Sequence, residues 1–249
     1  MATIIQRYPV IVDLATALLD AVGSRHLTAI GAPTVVDDTD IVPGETHKVF
    51  LFNGTSDGAQ CAVAHDPLAD FSGAVWVKPN VANVNQDFLS FGEASGQNRQ
   101  EMEANTLGEV LSYVRTTADG ILSQNDKTAG STLVAATWQH LAWSFDADVG
   151  ITIWKNAVVV KSPTDPYNTL SAPTSFTRFS LAVKAFSLAA AWFGGRMKDP
   201  LVASGLFSTP EVVAIMNDTT FGQGGGPAPA VPHAGSVMDG NFSNFDGGF

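Results

Sequence analysis

Apolar and polar residues alternate with a period of two along most of the chain from about residue 48 onward. In TWQHLAWSFDADVGITIWKNAVVVKS (137–162), Leu141, Trp143 and Phe145 alternate with His140, Ala142 and Ser144. After Asp146-Ala147-Asp148-Val149-Gly150 the alternation resumes, with Ile151 and Ile153 set against Thr152 and Trp154. That period predicts two half-buried strands, and the polar run ending in Gly predicts the hairpin loop between them. KVFLFNG, AQCAVA, GAVWVKP, DFLSFGE, EVLSYVR, GILSQ, STLVAA, AVVVKS, TRFSLAVKA and RMKDPLVAS read as further strands. Helical spacing is confined to DLATALLDAV (13–22) and TPEVVAIMN (209–217), the second opened by Ser208 with Glu211 three residues on, a capping box. Many short strands with few helices predict an all-β, antiparallel two-sheet jelly-roll sandwich carrying one or two short helices.

Composition fits one such domain. Hydrophobic residues make up 45% of 249 and charged residues 15%, which places the chain among globular proteins. Thirteen Lys and Arg against 24 Asp and Glu give a net charge of −11, a field that repels a phosphate backbone and excludes nucleic acid as a partner. Cys61 is the single cysteine, so neither an internal disulfide nor a cysteine zinc site can form. The start, MATIIQRYPVIVDLATALLD, lacks a secretory-signal pattern and no run reaches membrane-spanning length. The expectation is synthesis in a cytoplasm without secretory export and without membrane insertion.

The pattern breaks after Thr220. Eleven of the 28 residues from Gly222 to Phe249 are Gly or Pro, too many to contribute to a core. The chain therefore divides into an N-terminal extension (1–9), a sandwich (10–220) and a C-terminal arm (221–249). Phe242, Phe245 and Phe249 are aromatic residues in a linker-like segment. They are expected either to dock on a neighbouring subunit or, in a tail that folds back on its own domain or stays mobile, to make no such contact.

Three stretches carry a resemblance: Phe52-Asn53-Gly54, Ala74-Val75-Trp76-Val77-Lys78-Pro79, and Trp138-Gln139-His140-Leu141-Ala142-Trp143-Ser144-Phe145-Asp146. With Ile153-Trp154-Lys155-Asn156-Ala157, Gly195-Arg196-Met197-Lys198-Asp199 and Phe207-Ser208-Thr209-Pro210-Glu211-Val212, their order resembles the laminin G-like, concanavalin A-like jelly-roll family over about residues 10–217. Two positions depart from it. Ala157 replaces a turn glycine, which strains any positive φ there. Lys198 replaces one carboxylate of an acidic pair that in some relatives helps to hold calcium. The family's motifs are structural, so the resemblance specifies a fold more than a function, and it implies that Trp76, Trp138 and Trp143 are packing residues.

Catalytic patterns are weak. Glucanases on this fold carry a Glu-x-Asp-x-(x)-Glu cluster, since retaining hydrolysis needs carboxylates about 5 to 5.5 Å apart. The nearest approaches here, Glu101-Met102-Glu103 and Asp146-Ala147-Asp148, read as solvated surface. Gly54-Thr55-Ser56-Asp57-Gly58 matches Gly-x-Ser-x-Gly but joins strand to strand rather than strand to helix, so it reads as a turn. No enzyme is expected. Calcium is the one cofactor kept open, at Asp37, Asp38 and Asp40 of the acidic loop Val35–Asp40 and at Asp199.

Three functional readings follow. The first is a non-enzymatic, homo-oligomeric subunit on the surface of a virus particle, most plainly a tailed bacteriophage: a head decoration, head-fibre or tail-associated protein in contact with neighbouring virion subunits. Its alternative is a lectin-like module for cell-surface glycan. There Trp154 and Trp192 are the rings expected to stack on sugar, and Gln97 and Asn98 the amide partners. A glycoside hydrolase comes last.

Overall fold

The computed structural model describes residues 2–10, 12–42, 44–65, 70–93, 98–115, 126–146, 148–163, 176–185 and 191–217. Its elements in chain order are β1 (Thr3–Arg7), α1 (Leu14–Ala17), β2 (Thr28–Ile30), β3 (Thr34–Asp38), β4 (His47–Asn53), β5 (Gly58–His65), β6 (Phe71–Pro79), β7 (Gln86–Gly92), β8 (Arg99–Ala104) and β9 (Val110–Arg115). They continue with β10 (Asp126–Lys127), β11 (Gln139–Asp146), β12 (Gly150–Lys155), β13 (Val158–Lys161), β14 (Phe176–Leu181), β15 (Gly194–Ser204) and α2 (Thr209–Asn217).

The tryptophan-bearing strands pair as their alternation predicts, Trp143 opposite Ile153 and Phe145 opposite Ile151. Strand β11 continues the sheet on its other edge with β6, where Trp143 faces Gly73. A Cβ at Gly73 would lie 2.2 Å from the Trp143 ring, so the indole lies over bare backbone. Extending these pairings gives one sheet in the order β13-β12-β11-β6-β15-β4-β3, with β1 also beside β15, and a second in the order β10-β9-β8-β7-β14-β5-β2. Every pairing is antiparallel.

Aromatic rings from both sheets fill the space between them. Phe71 meets Phe91 edge-on at 5.7 Å, and Phe91 meets Phe179 at 4.9 Å. Such contacts add about 0.5–1.5 kcal/mol each beyond the area buried. Helix α2 lies over the opposite face of the first sheet, where Val212 and Phe207 pack with Ala74, Ala142, Leu201 and Ala203. Its start has the expected capping contact, the Ser208 N–H donating to Glu211 Oε2 at 2.7 Å.

Four departures have local causes. The helix expected over 13–22 stops at Ala17. Asp20 accepts from the N–H groups of Arg7 and Val22, a side-chain alternative to helical bonding. STLVAA is no strand but a string of turns in which Ser131 and Ala136 take positive φ. The acidic Val35–Asp40 stretch is mostly strand, since β3 pairs along β4 from Thr34 to Asp38. Part of the N-terminal extension adds a strand, β1, along Leu201–Ser204. GILSQ lies outside the described residues, as does the arm with Phe242, Phe245 and Phe249.

Candidate functional site

Phe193 is fully buried and packs edge-on against Phe52 and Phe88, with ring centroids 6.3 and 5.6 Å apart. Its neighbour Trp192 is only half-buried, at the rim where loops cross between the sheets. There it lines a cleft of about 470 Å³ together with Asn53, Asn80, Val81, Val84 and Asn85. Val81 and Val84 are exposed, so the ring belongs to an open apolar strip bordered by amides.

The walls are fixed by the chain itself. Asn53 Oδ1 accepts from the N–H groups of Thr55, Ser56 and Asp57 at 2.8, 2.9 and 3.2 Å. Gly-x-Ser-x-Gly is therefore a side-chain-braced turn from strand to strand, although it carries the chain from β4 in the first sheet to β5 in the second and closes no hairpin. Gly54 turns with φ +79° and approaches Gly194 so closely that a Cβ on it would meet Gly194 Cα at 3.0 Å. Gln86 Nε2 donates to the Val81 carbonyl at 2.8 Å and holds the β6–β7 loop. The side-chain amides of Asn80 and Asn85 have no partner among the described residues, which leaves them for a ligand. Sequence reasoning reached Trp192 but missed Asn53, Asn80, Asn85 and both valines. The available signal was the run Asn80-Val81-Ala82-Asn83-Val84-Asn85, rich in amides between two strands.

The other expected glycan contacts are placed elsewhere. Trp154 does stand opposite Ile151 and Ile153, but α2 covers that face. The indole is 4% exposed and donates to Thr209 Oγ1 at 3.1 Å, so it is a packing residue and no platform. Asn98 is buried where its N–H donates to Glu93 Oε1 at 3.2 Å and its carbonyl accepts from the Glu93 N–H. Gln97 lies outside the described residues.

The acidic residues expected to hold calcium do not converge. Asp37 pairs with Lys48 at 2.8 Å, and Asp40 pairs with Lys78. Asp38 is buried and accepts from Arg196, from the Trp138 indole at 3.0 Å and from the Asp40 N–H at 2.8 Å. Burial pushes its carboxyl up, but these donors and Lys78 outweigh it and hold the pKa below the usual carboxylate value. Asp199 pairs with its neighbour Lys198 at 3.2 Å. Protein cations occupy all four.

Glu101 and Glu103 correct another expectation. Glu101 is 1% exposed rather than solvated, and both glutamates accept from Lys184, at 3.0 and 2.9 Å. At that exposure Glu101 is out of reach of a glycan substrate.

Known proteins agree with this architecture. The family model described as the concanavalin A-like lectin/glucanases superfamily matches residues 53–213. No curated protein matches the sequence. Among solved structures, domain 4 of AbnA, a GH43 extracellular arabinanase from Geobacillus stearothermophilus in complex with arabinotriose, is similar at 18% identity and a TM-score of 0.61. The match covers 86% of this chain and 98% of that one. The receptor binding domain of botulinum neurotoxin D is similar at 11% identity and a TM-score of 0.62, covering 86% of this chain and 52% of that one, so the chain spans about half its length. The CBM40 of the Ruminococcus gnavus IT-sialidase, bound to α2,3 sialyllactose, is similar at 16% identity and a TM-score of 0.51, covering 62% and 92%. At such identities the likeness is one of fold. With its two antiparallel sheets, its aromatic interior and the match over most of the sandwich, the chain belongs to the concanavalin A-like lectin/glucanases superfamily.

Proposed function

We propose that the protein is a non-enzymatic, lectin-like module that binds neutral glycan in the rim groove at Trp192. The observation that carries this reading is the composition of the groove. An indole and two exposed valines offer an apolar strip for the C–H face of a sugar ring. The amides of Asn80 and Asn85 stand beside it as donors and acceptors for hydroxyl groups. All ten described residues lining the groove are uncharged, and the net charge of −11 opposes sulfated or sialylated chains. Two of the similar structures hold an arabinotriose and a sialyllactose, and this adds support for glycan as the ligand class. The test is a neutral-glycan array probed with wild type and Trp192→Ala. Binding lost in the variant supports the reading, whereas binding equal in both rules the groove out.

A second reading keeps the same fold as a homo-oligomeric subunit on a virus particle. It rests on the Gly/Pro-rich arm with Phe242, Phe245 and Phe249, a composition that suits an inter-subunit strap. Light scattering of full-length protein beside a chain ending at Thr220 tests it. An oligomer that becomes a monomer on truncation supports the strap, and two monomers remove it.

A further inference from the structure

The face of the second sheet turned away from the core holds a cluster that the groove does not use. Strand pairing sets Asp87 opposite Glu103, and Ser90 opposite Glu101. After β14 the chain folds back across this face. The Ala185 N–H donates to Ser90 Oγ at 3.0 Å, and Gln60 Nε2 donates to the Ala185 carbonyl at 3.2 Å. This brings Lys184 in among the acids, where its ammonium donates to Glu101 Oε2 and Glu103 Oε2.

Asp87 is the member left over. It is wholly buried, and neither of its oxygens has a hydrogen-bond donor. Glu101 Oε1 also lacks one, with Arg99 Nε beyond bonding distance at 3.8 Å. One oxygen from each of Asp87, Glu101 and Glu103 lies within 4.8 Å of the other two. A buried carboxylate without a partner has to be neutralised, by a proton or by a cation.

We propose that Asp87, Glu101 and Glu103 form a binding site for a hard divalent cation of calcium's size, and that the Lys184 ammonium is the counter-ion which such a cation displaces. Calcium–oxygen distances of about 2.3–2.6 Å allow the ligand oxygens of one ion to lie up to about 4.6–5.2 Å apart, and these three lie within 4.8 Å of one another. A donor set made only of carboxylates selects hard cations over softer ones. Charge favours the exchange. With all three carboxylates ionised, Lys184 and Arg99 leave one net negative charge, whereas a divalent ion in place of Lys184 leaves none. The Lys184 side chain is 16% exposed, so its released ammonium can reach water along its own stem. No larger ligand fits, because Asp87 and Glu101 present almost no surface. The site is separate from Asp37, Asp38, Asp40 and Asp199, whose carboxylates protein cations already hold.

The experiment is calorimetric titration of calcium chloride into the chelator-treated full-length protein, beside Asp87→Asn, Glu103→Gln and Lys184→Gln. Expected are one calcium per chain for wild type, affinity at least about tenfold weaker in Asp87→Asn and Glu103→Gln, and tighter binding in Lys184→Gln. Glu103→Gln, at the edge of the cluster, serves if a buried variant does not fold. No binding by wild type up to about 10 mM calcium, beyond the range of the weakest calcium modules, would overturn the proposal. So would calcium binding that both acid-to-amide variants keep, because the ion would then lie elsewhere.

Discussion

The Asn80 N–H donates to the Gly194 carbonyl at 2.8 Å, tying the β6–β7 loop to the strand that follows Trp192. The two long walls of the groove are thus joined by backbone, and the Gly54–Gly194 approach closes its end. Gly54→Ala puts a Cβ against that approach at φ +79°. The expected cost is about 1–2 kcal/mol, read as a lower urea midpoint at unchanged slope, together with weaker glycan retention.

The two tryptophans first read as sugar platforms separate by substitution. Trp154→Ala empties a site under α2 and is expected to cost about 3–5 kcal/mol while leaving glycan binding in the folded fraction intact. Trp192→Ala is expected to stay within about 1 kcal/mol of wild type and to lose binding. Thermal unfolding and glycan retention, measured on both variants, check the contrast.

The β12–β13 hairpin turns through Asn156 and Ala157 at φ +50° and +61°, the two-residue geometry that favours glycine. The strain expected at Ala157 is therefore present. Ala157→Gly is expected to raise stability by about 0.5–1 kcal/mol, the left-handed cost of alanine less the added freedom of the unfolded chain. A denaturant midpoint that falls instead would show that the Ala157 methyl, packed beside the α2 cluster, matters more than the turn.

His140 is buried beneath the edge of Trp76, 5.2 Å between centroids, and burial lowers its pKa to about 3 from 6.5. Between those values the unfolded chain binds the proton and the folded chain does not. The contribution of this group to stability therefore falls as pH drops from about 6.5 towards 3, by at most about 1.4 kcal/mol per pH unit, while the buried carboxyl of Asp199, raised by burial, acts in the opposite sense. Asp38, whose folded pKa is depressed, adds to the loss in the more acid part of that range. His140→Gln is expected to flatten the pH dependence of the unfolding midpoint between pH 6.5 and 4, and an unchanged slope would remove His140 as its cause.

Period-two alternation made the core strands legible because one face of each is buried, as with Leu141, Trp143 and Phe145. It failed where the cover came from outside the sheet. Trp154 follows the alternation, yet α2 buries it, and that helix comes more than fifty residues later. Edge strands were hidden for a different reason. Thr34–Asp38 reads as an acidic loop because its carboxylates meet cations on other strands, Asp38 with Arg196 on β15 and Asp37 with Lys48 across the pairing with β4. The cluster of Asp87 with Glu101 was invisible because the two residues meet only through the β7–β8 register. Trp192 was legible as a ring in a glycine-flanked loop, but its amide partners come from a loop about a hundred residues earlier.

The most direct measurement is affinity electrophoresis of wild type and Trp192→Ala through gels containing neutral polysaccharides, arabinan and β-glucan among them, beside a sialylated glycan. Retardation of wild type by a neutral polysaccharide, lost in Trp192→Ala, is the expected result. Equal retardation of the two proteins, or retardation by the sialylated glycan alone, would contradict a neutral-glycan groove at Trp192.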